Sequence, residues 1–166
     1  MAEVDKNTAV VNFLLNCDYI KTNPLFYNFG EAKSNNKQIV THSTDIRVNE
    51  PYIDGSVKKR YTFTIIDYKS VAYNAIITRT INEVSTPVSE NLDNAFEAQQ
   101  VADWVEQQSD LRNYPDFGSD CVIDDMLVVT DQPNMNGVDK AVTPVLAKYS
   151  ISIRIDYIDY SKAIWK

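Results

Sequence analysis

A strict alternation of apolar and polar residues near the end of the chain constrains the fold more than any other feature. The apolar positions of this run are Tyr149, Ile151, Ile153, Ile155 and Tyr157, and polar residues separate them. Because successive side chains of a strand point to opposite faces, the run predicts a β-strand with one face in a core and one in water. Tyr61, Phe63 and Ile65 alternate with threonines in the same way. Such strands are typical of antiparallel sheets.

Two other segments have helical spacing. Within residues 5–20 the apolar positions recur at intervals of three and four, and the segment ends at Asn23-Pro24 because the residue before a proline avoids the α conformation. The second segment covers residues 90–109 and ends before Asn113-Tyr114-Pro115. Both segments predict amphipathic helices with one apolar stripe, which must pack on a flat surface.

Two hairpins are expected between these helices. The first joins residues 25–29 to residues 38–41 through the polar turn Ala32–Lys37. The second joins residues 46–53 to residues 57–68 at Asp54-Gly55, a dipeptide suited to the positive φ of a tight turn.

Three further segments complete the predicted order. Residues 69–81 are ambiguous between another strand and a hydrophobic extension of the sheet, and we favour another strand. Residues 121–130 predict a strand, whereas residues 131–140 have no periodicity and are interpreted as a long loop, either functional or mobile. The chain of 166 residues fits one domain, 1–166. The predicted class is α+β, a mainly antiparallel sheet with two amphipathic helices packed on one face.

The net charge of −7 limits the class of partner. Affinity for double-stranded DNA comes mainly from lysines and arginines at phosphates, so DNA binding is disfavoured. An ordinary acidic protein is the favoured interpretation, and an acidic wall along a DNA passage is the alternative. We expect no export signal and no membrane span. Cys17 and Cys121 have no metal-type spacing and are interpreted as free thiols rather than a disulfide.

No combination of residues predicts catalysis. The single histidine, His42, lies beside hydroxyl residues and is interpreted as a surface side chain. Phosphate-loop, nucleophile-elbow and zinc-protease motifs are absent from the sequence. The acidic group Asp116, Asp120, Asp124 and Asp125 does not match a calcium loop, so solvated turns are favoured over a cation site. We therefore expect a protein that is not an enzyme, with no cofactor and no metal.

Two features allow contact with other subunits. The basic run Lys58-Lys59-Arg60 would meet carboxylates of a neighbouring subunit, or else would guard a solvated edge strand. Tyr157, Tyr160 and Trp165 lie near the chain end, and such aromatic residues are favoured at interfaces. This C-terminal segment would dock on a neighbour or on its own sheet, and the sequence does not distinguish the two.

Several short segments follow one another along the chain together with the N-terminal and mid-chain helices: Asn23-Pro24, Phe29-Gly30-Glu31-Ala32-Lys33, Gln38-Ile39-Val40-Thr41, Tyr61-Thr62-Phe63-Thr64 and Tyr149-Ser150-Ile151-Ser152-Ile153. In this order and spacing, which cover most of the chain, they resemble the small tail proteins of siphoviruses that infect low-GC Gram-positive bacteria. The resemblance is greatest to a tail terminator, also called a tail completion or minor tail protein.

The resemblance implies a structural virion protein, made in the host cytoplasm, that forms a ring, expected to be a hexamer. The ring would cap the tail tube, contact the tail-tube protein and a neck or head-completion protein, and let DNA pass without specific binding. The alternatives are another neck or tail ring component, either a head-completion or a tail-tube protein, or a small non-viral binding domain. The residues expected at interfaces are Ser34, Asn35, Asn36, Lys58, Lys59, Arg60, Asn134, Met135, Asn136 and Gly137.

Overall fold

A computed structural model describes residues 5–41, 49–71, 76–81, 83–89, 91–130, 133–141 and 143–164. In chain order its elements are α1 Lys6–Leu14, α2 Asp18–Lys21, β1 Leu25–Tyr27, β2 Lys37–Thr41, β3 Asn49–Pro51, β4 Val57–Ser70, β5 Ile76–Ile81, β6 Val84–Ser89, α3 Asn91–Asp110, β7 Cys121–Val128, β8 Asn134–Asp139 and β9 Leu146–Asp159.

The centre of the fold is a pair of long antiparallel strands, β4 and β9. Each has 14 residues, and the pairing runs from Val57 opposite Asp159 to Ser70 opposite Leu146. At roughly 3.4 Å per residue this pair is about 45 Å long. β2 and β3 pair with the free side of β4, β7 and β8 pair with the free side of β9, and β1 pairs with β2. The result is a seven-stranded, mostly antiparallel sheet, which confirms the predicted fold class.

The helices cover one face of this sheet. Phe13 and Leu14 of α1 and Val101 and Val105 of α3 join a single buried cluster. The strand residues in that cluster include Ile39, Phe63, Ile65, Ile151, Ile153 and Ile155. The predicted strand Tyr149–Tyr157 and the predicted helix at residues 90–109 are therefore both confirmed, as parts of β9 and α3.

The predicted first helix is interrupted. α1 ends at Leu14 and a second short helix, α2, begins at Asp18. The side-chain amide of Asn16 donates hydrogen bonds to the carbonyls of Asn12 and Phe13, both at 3.1 Å, and so satisfies backbone acceptors at the end of α1. The apolar spacing continues through the break because Cys17 and Ile20 are also buried.

The prediction of a first hairpin is wrong. β1 and β2 are parallel, with Leu25 opposite Lys37. The chain turns at two residues with positive φ, Asn28 at 57° and Asn35 at 68°, so that it comes back to the start of β1 before β2 begins. Asparagine tolerates this left-handed conformation better than most residues, which permits the double turn.

The second hairpin is confirmed between β3 and β4, with Gly55 at φ 86° in its turn. Residues 46–48 of the predicted strand lie outside the described residues. The strand favoured within residues 69–81 is confirmed as β5, which lies outside the main sheet. It pairs with β6, a strand that the sequence pattern did not predict, and the two form a separate sheet.

The interpretation of residues 131–140 as a loop is wrong in its central part. β8 pairs with β9 from Asn134 opposite Ser150 to Asp139 opposite Leu146. A register shift between Met135 and Gly137 interrupts the pairing. That irregularity explains why the sequence lacks a clean period of two.

Candidate functional site

The two-stranded sheet formed by β5 and β6, which we call the arm, is exposed at most of its described side chains. Ile76 is 69% exposed and Val84 is 63% exposed. None of the described arm residues belongs to the buried core. An isolated hairpin of this size is marginally stable in water. The arm is therefore an element that gains stability from whatever covers it.

The arm is tied to the body through the start of α3. The guanidinium of Arg79 forms an ion pair with the carboxylate of Asp93 in the first turn of that helix. Leu92 and Phe96, four residues apart on the same helix, are both more than half exposed. Residues four apart lie on one side of a helix, so these two side chains extend the exposed apolar surface beyond the arm.

A second exposed surface is the outer edge of β7, which is an end strand of the sheet. Among the described residues no strand pairs with this edge. Leu127 is 40% exposed and Val129, just after the strand, is 54% exposed. A long edge strand with apolar side chains is a template for pairing with another chain unless charge or a bulge blocks it. Here a bulge between Ile123 and Asp125 divides the edge.

The basic run Lys58-Lys59-Arg60 is engaged within its own chain. Lys58 Nζ lies 3.1 Å from Asp124 Oδ2, Lys59 Nζ lies 2.6 Å from Asp159 Oδ2, and Arg60 makes two hydrogen bonds to Asp156. The alternative of a charge-guarded edge strand is wrong because Lys58 and Lys59 lie between β3 and β9. Contact with a neighbouring subunit at this run stays a prediction.

The predicted interface turn at Ser34–Asn36 packs mainly on its own chain. The Ser34 hydroxyl lies 2.7 Å from the Ser70 hydroxyl, and Asn35 Oδ1 accepts a hydrogen bond from Lys69 Nζ at 3.1 Å. Asn36 is buried, and its amide donates to the Glu31 carbonyl. Asn35 is exposed and remains the accessible member of this predicted group.

The other predicted interface residues lie on β8. Met135 is exposed, and Gly137 sits at the register shift opposite Lys148. The side chains of Asn134 and Asn136 lie outside the described residues, as do His42 and Trp165. The turn and β8 lie at the same end of the central strands, on opposite sides of the sheet, whereas Lys58–Arg60 lies towards the other end.

Sequence analysis missed a buried ionic cluster behind the Ser34–Asn36 turn. Lys37 Nζ lies 3.2 Å from Asp67 Oδ1, and both side chains are 2% exposed. Lys69 Nζ lies 3.7 Å from Asp67 Oδ2 and also pairs with Glu97 of α3. Asp67 and Lys69 continue the alternation of Tyr61, Phe63 and Ile65, so their position in the strand was the signal for burial.

Burial and the neighbouring lysines act in opposite directions on the carboxyl group at the centre of this cluster. Burial raises the pKa of Asp67, and the charges of Lys37 and Lys69 oppose that rise. Within the described part of the chain, no group of three His, Cys, Asp or Glu residues could hold a metal ion. Cys17 and Cys121 are free thiols.

A groove of about 480 Å³ runs between α1 and residues 113–116. Asn12, Asn16 and Asn113 give it a polar lining, and Phe13 and Tyr114 contribute apolar surface. Of the helices in the described ranges, none is long and apolar enough to cross a membrane.

Comparison with known proteins adds no relative: no protein-family model matches the chain, and no curated protein matches it. The surfaces described above, namely the arm, the apolar residues at the start of α3 and the outer edge of β7, are therefore interpreted from their own geometry.

Proposed function

We propose that this chain is a ring-forming structural subunit of a phage tail, a tail terminator that caps the tail tube and joins it to the neck or head connector. The proposal combines the order of sequence segments that resembles that family with surfaces suited to self-association. In this role the protein acts through shape and contact and carries out no reaction.

The observation that carries the proposal is the arm. Two exposed strands that pair with each other and lie outside the buried core have little to stabilise them in an isolated molecule. An assembled particle supplies the missing contacts, since a neighbour can bury the apolar residues Ile76 and Val84. Assembly is thus the simplest use for this element.

The acidic charge suits the same role. With a net charge of −7 the ring would have little affinity for phosphate, so DNA would pass through its opening without being held. A closed ring also has no free ends, which suits a component that must stop the growth of a tube.

The experiment that tests the proposal is cryo-electron microscopy of intact particles in which an inserted tag marks this chain. We expect the tag to mark one layer, expected to be six-fold, between the tail tube and the connector. A tag repeated along the whole tube would identify a tail-tube protein instead, and a tag on the head side of the connector would identify a head-completion protein. Absence of the chain from purified particles would contradict a virion role and would favour a small non-viral binding domain.

A further inference from the structure

We propose that β5 of the arm pairs with the outer edge of β7 in a neighbouring copy, so that the sheet continues from one subunit to the next. This inference rests on the self-assembly part of the proposed function. It adds the contact itself: strand addition, with a second copy of this chain as the partner.

Among the described strands, each of these two is hydrogen-bonded to another strand along one side only. β5 is paired with β6 along one side, and β7 is paired with β9 along one side. Within the part of the chain that the structure describes, the other side of each has no strand partner. Every copy therefore supplies one free strand edge at the arm and one at β7. A chain of identical copies uses both edges once per subunit.

β5 is the better donor of the two arm strands. β6 contains Pro87, which has no backbone N–H and restricts pairing, whereas β5 has no proline. Its sequence Ile76–Ile81 is rich in isoleucine and threonine, which favour strands. Its six residues are long enough to pair with the four residues of β7 beyond the bulge, Asp125–Val128, and with Val129, which continues them.

The positions of the two strands favour a contact between different copies. The arm follows the end of β4 at Ser70, opposite Leu146, whereas the straight part of β7 pairs with Ile153–Asp156 of β9. Arg154, opposite Leu127, lies eight residues along β9 from Leu146, which is roughly 27 Å at about 3.4 Å per residue. Joining the arm of one molecule to the β7 edge of the next is a head-to-tail contact, which generates a ring when the rotation closes.

The contact also covers apolar surface at both sites. Ile76 on β5 and Leu127 and Val129 at β7 are exposed in the single chain. Side chains directly opposite in an added strand lie about 5 Å apart, close enough for these residues to cover one another. The strand addition therefore combines backbone hydrogen bonds with burial of apolar side chains.

Mixed disulfide cross-linking tests the inference. Two variants are prepared in a Cys121→Ser background, one with Thr78→Cys or Thr80→Cys on β5 and one with Leu127→Cys on β7, and only one of the two carries an affinity tag. Cys17 stays in place because it is fully buried. After mixing and mild oxidation we expect a linked pair containing one molecule of each variant.

The control partner is Ile53→Cys, at a fully exposed turn residue on the opposite side of the sheet. We expect its cross-linking yield to be at least several-fold lower. Equal yields for Leu127→Cys and Ile53→Cys, in protein that still forms rings, would overturn the strand pairing and leave the proposed ring intact. A wild-type protein that stays monomeric both alone and on tail tubes would contradict the ring as well.

A second pair of variants tests the same edge without cysteines. Leu127→Lys places a charge at the β7 edge, which blocks strand addition, while Ile53→Lys makes the same apolar-to-lysine change elsewhere. We expect at least a tenfold weaker self-association for Leu127→Lys and no change for Ile53→Lys, measured by sedimentation on protein whose folding is verified by unfolding curves. Equal association by the two variants would overturn the inference.

Discussion

Lys37 and Asp67 occupy core positions on adjacent strands although both side chains carry charge. Removing such ions from water is costly, and their attraction offsets that cost when the geometry is good. Lys69 and Glu97 extend the pair to the surface of α3. The cluster thus fixes the polar turn, the sheet and the helix to one another at the end of β4 from which the arm begins.

We predict that Asp67→Leu lowers the free energy of unfolding by about 3–5 kcal/mol because it leaves buried ammonium groups without their carboxylate. The measurement is urea unfolding, in which a shift of the transition midpoint at an unchanged m-value gives the change in the free energy of unfolding. The control is the double variant Lys37→Met with Asp67→Leu, which removes both charges and should lose less than the sum of the single changes. Strict additivity would show that the two residues do not interact.

Acid should destabilise the fold through Asp156 and Asp159. Burial alone would raise the pKa of each carboxyl, but the hydrogen bonds and charges of Arg60 and Lys59 outweigh it, so both pKa values lie below the ordinary value. A depressed pKa contributes stability above the unfolded-state pKa of about 3.9, and this stability is lost as the pH falls through the folded-state pKa. Asp67 acts in the opposite direction, because its raised pKa favours folding at low pH.

We predict that the double variant Asp156→Asn with Asp159→Asn has a shallower loss of stability below about pH 4 than the wild type. The measurement is the free energy of unfolding as a function of pH. Asp18→Asn, at an exposed ion pair with Lys21, is the matched control and should leave the slope of this acid limb unchanged. If the double variant loses stability at low pH as steeply as the wild type, other groups are responsible for the acid sensitivity.

Among the connecting elements, the β3–β4 turn depends on one glycine. Gly55 has φ 86°, and a Cβ atom there would lie 2.8 Å from the Lys162 carbonyl oxygen. We predict that Gly55→Ala costs about 1–2 kcal/mol of stability, measured by thermal or urea unfolding. A Cβ atom at Gly137 is also strained, because φ there is 151°, but nothing in the described residues beyond its chain neighbours lies within 4 Å of that atom. Gly137→Ala should therefore lack the clash that adds to the cost of Gly55→Ala. A larger loss at Gly137 would contradict this account of the turn.

The arm should be removable as a unit. Replacing residues 76–89 by a short glycine-serine linker takes away none of the described residues of the buried core, so we expect a change in the free energy of unfolding of less than about 1 kcal/mol. Self-association should be lost, as measured by sedimentation or light scattering. A variant that fails to fold, or one that still assembles, would contradict the assembly role assigned to the arm.

For the whole molecule, the central prediction concerns DNA. The chain has 16 basic and 23 acidic residues, and the basic run at Lys58–Arg60 is already paired with carboxylates of the same chain. We expect no salt-dependent affinity for double-stranded DNA in fluorescence anisotropy. A dissociation constant in the usual non-specific range of about 10⁻⁴–10⁻⁶ M, weakening steeply with salt, would contradict passive passage.

The sequence determined the parts of the fold that local periodicity encodes. The alternation at Tyr149–Tyr157 and Tyr61–Ile65 predicted the two central strands, and the spacing in residues 90–109 predicted α3, because burial of one face imposes its period on the chain. The dipeptide Asp54-Gly55 predicted the β3–β4 turn through its demand for positive φ. Together these local patterns are enough to specify the α+β class.

Tertiary structure alone decided which elements meet. Contacts between residues distant in sequence decide three features: the parallel pairing of β1 with β2, the pairing of β8 with β9 and the separation of the arm from the main sheet. Local periodicity in the sequence does not encode such contacts. The partners of Lys58, Lys59 and Arg60 lie 66, 100 and 96 residues away in sequence. The assembly surfaces arise in the same way, since a strand edge is free or covered only once the whole sheet has formed.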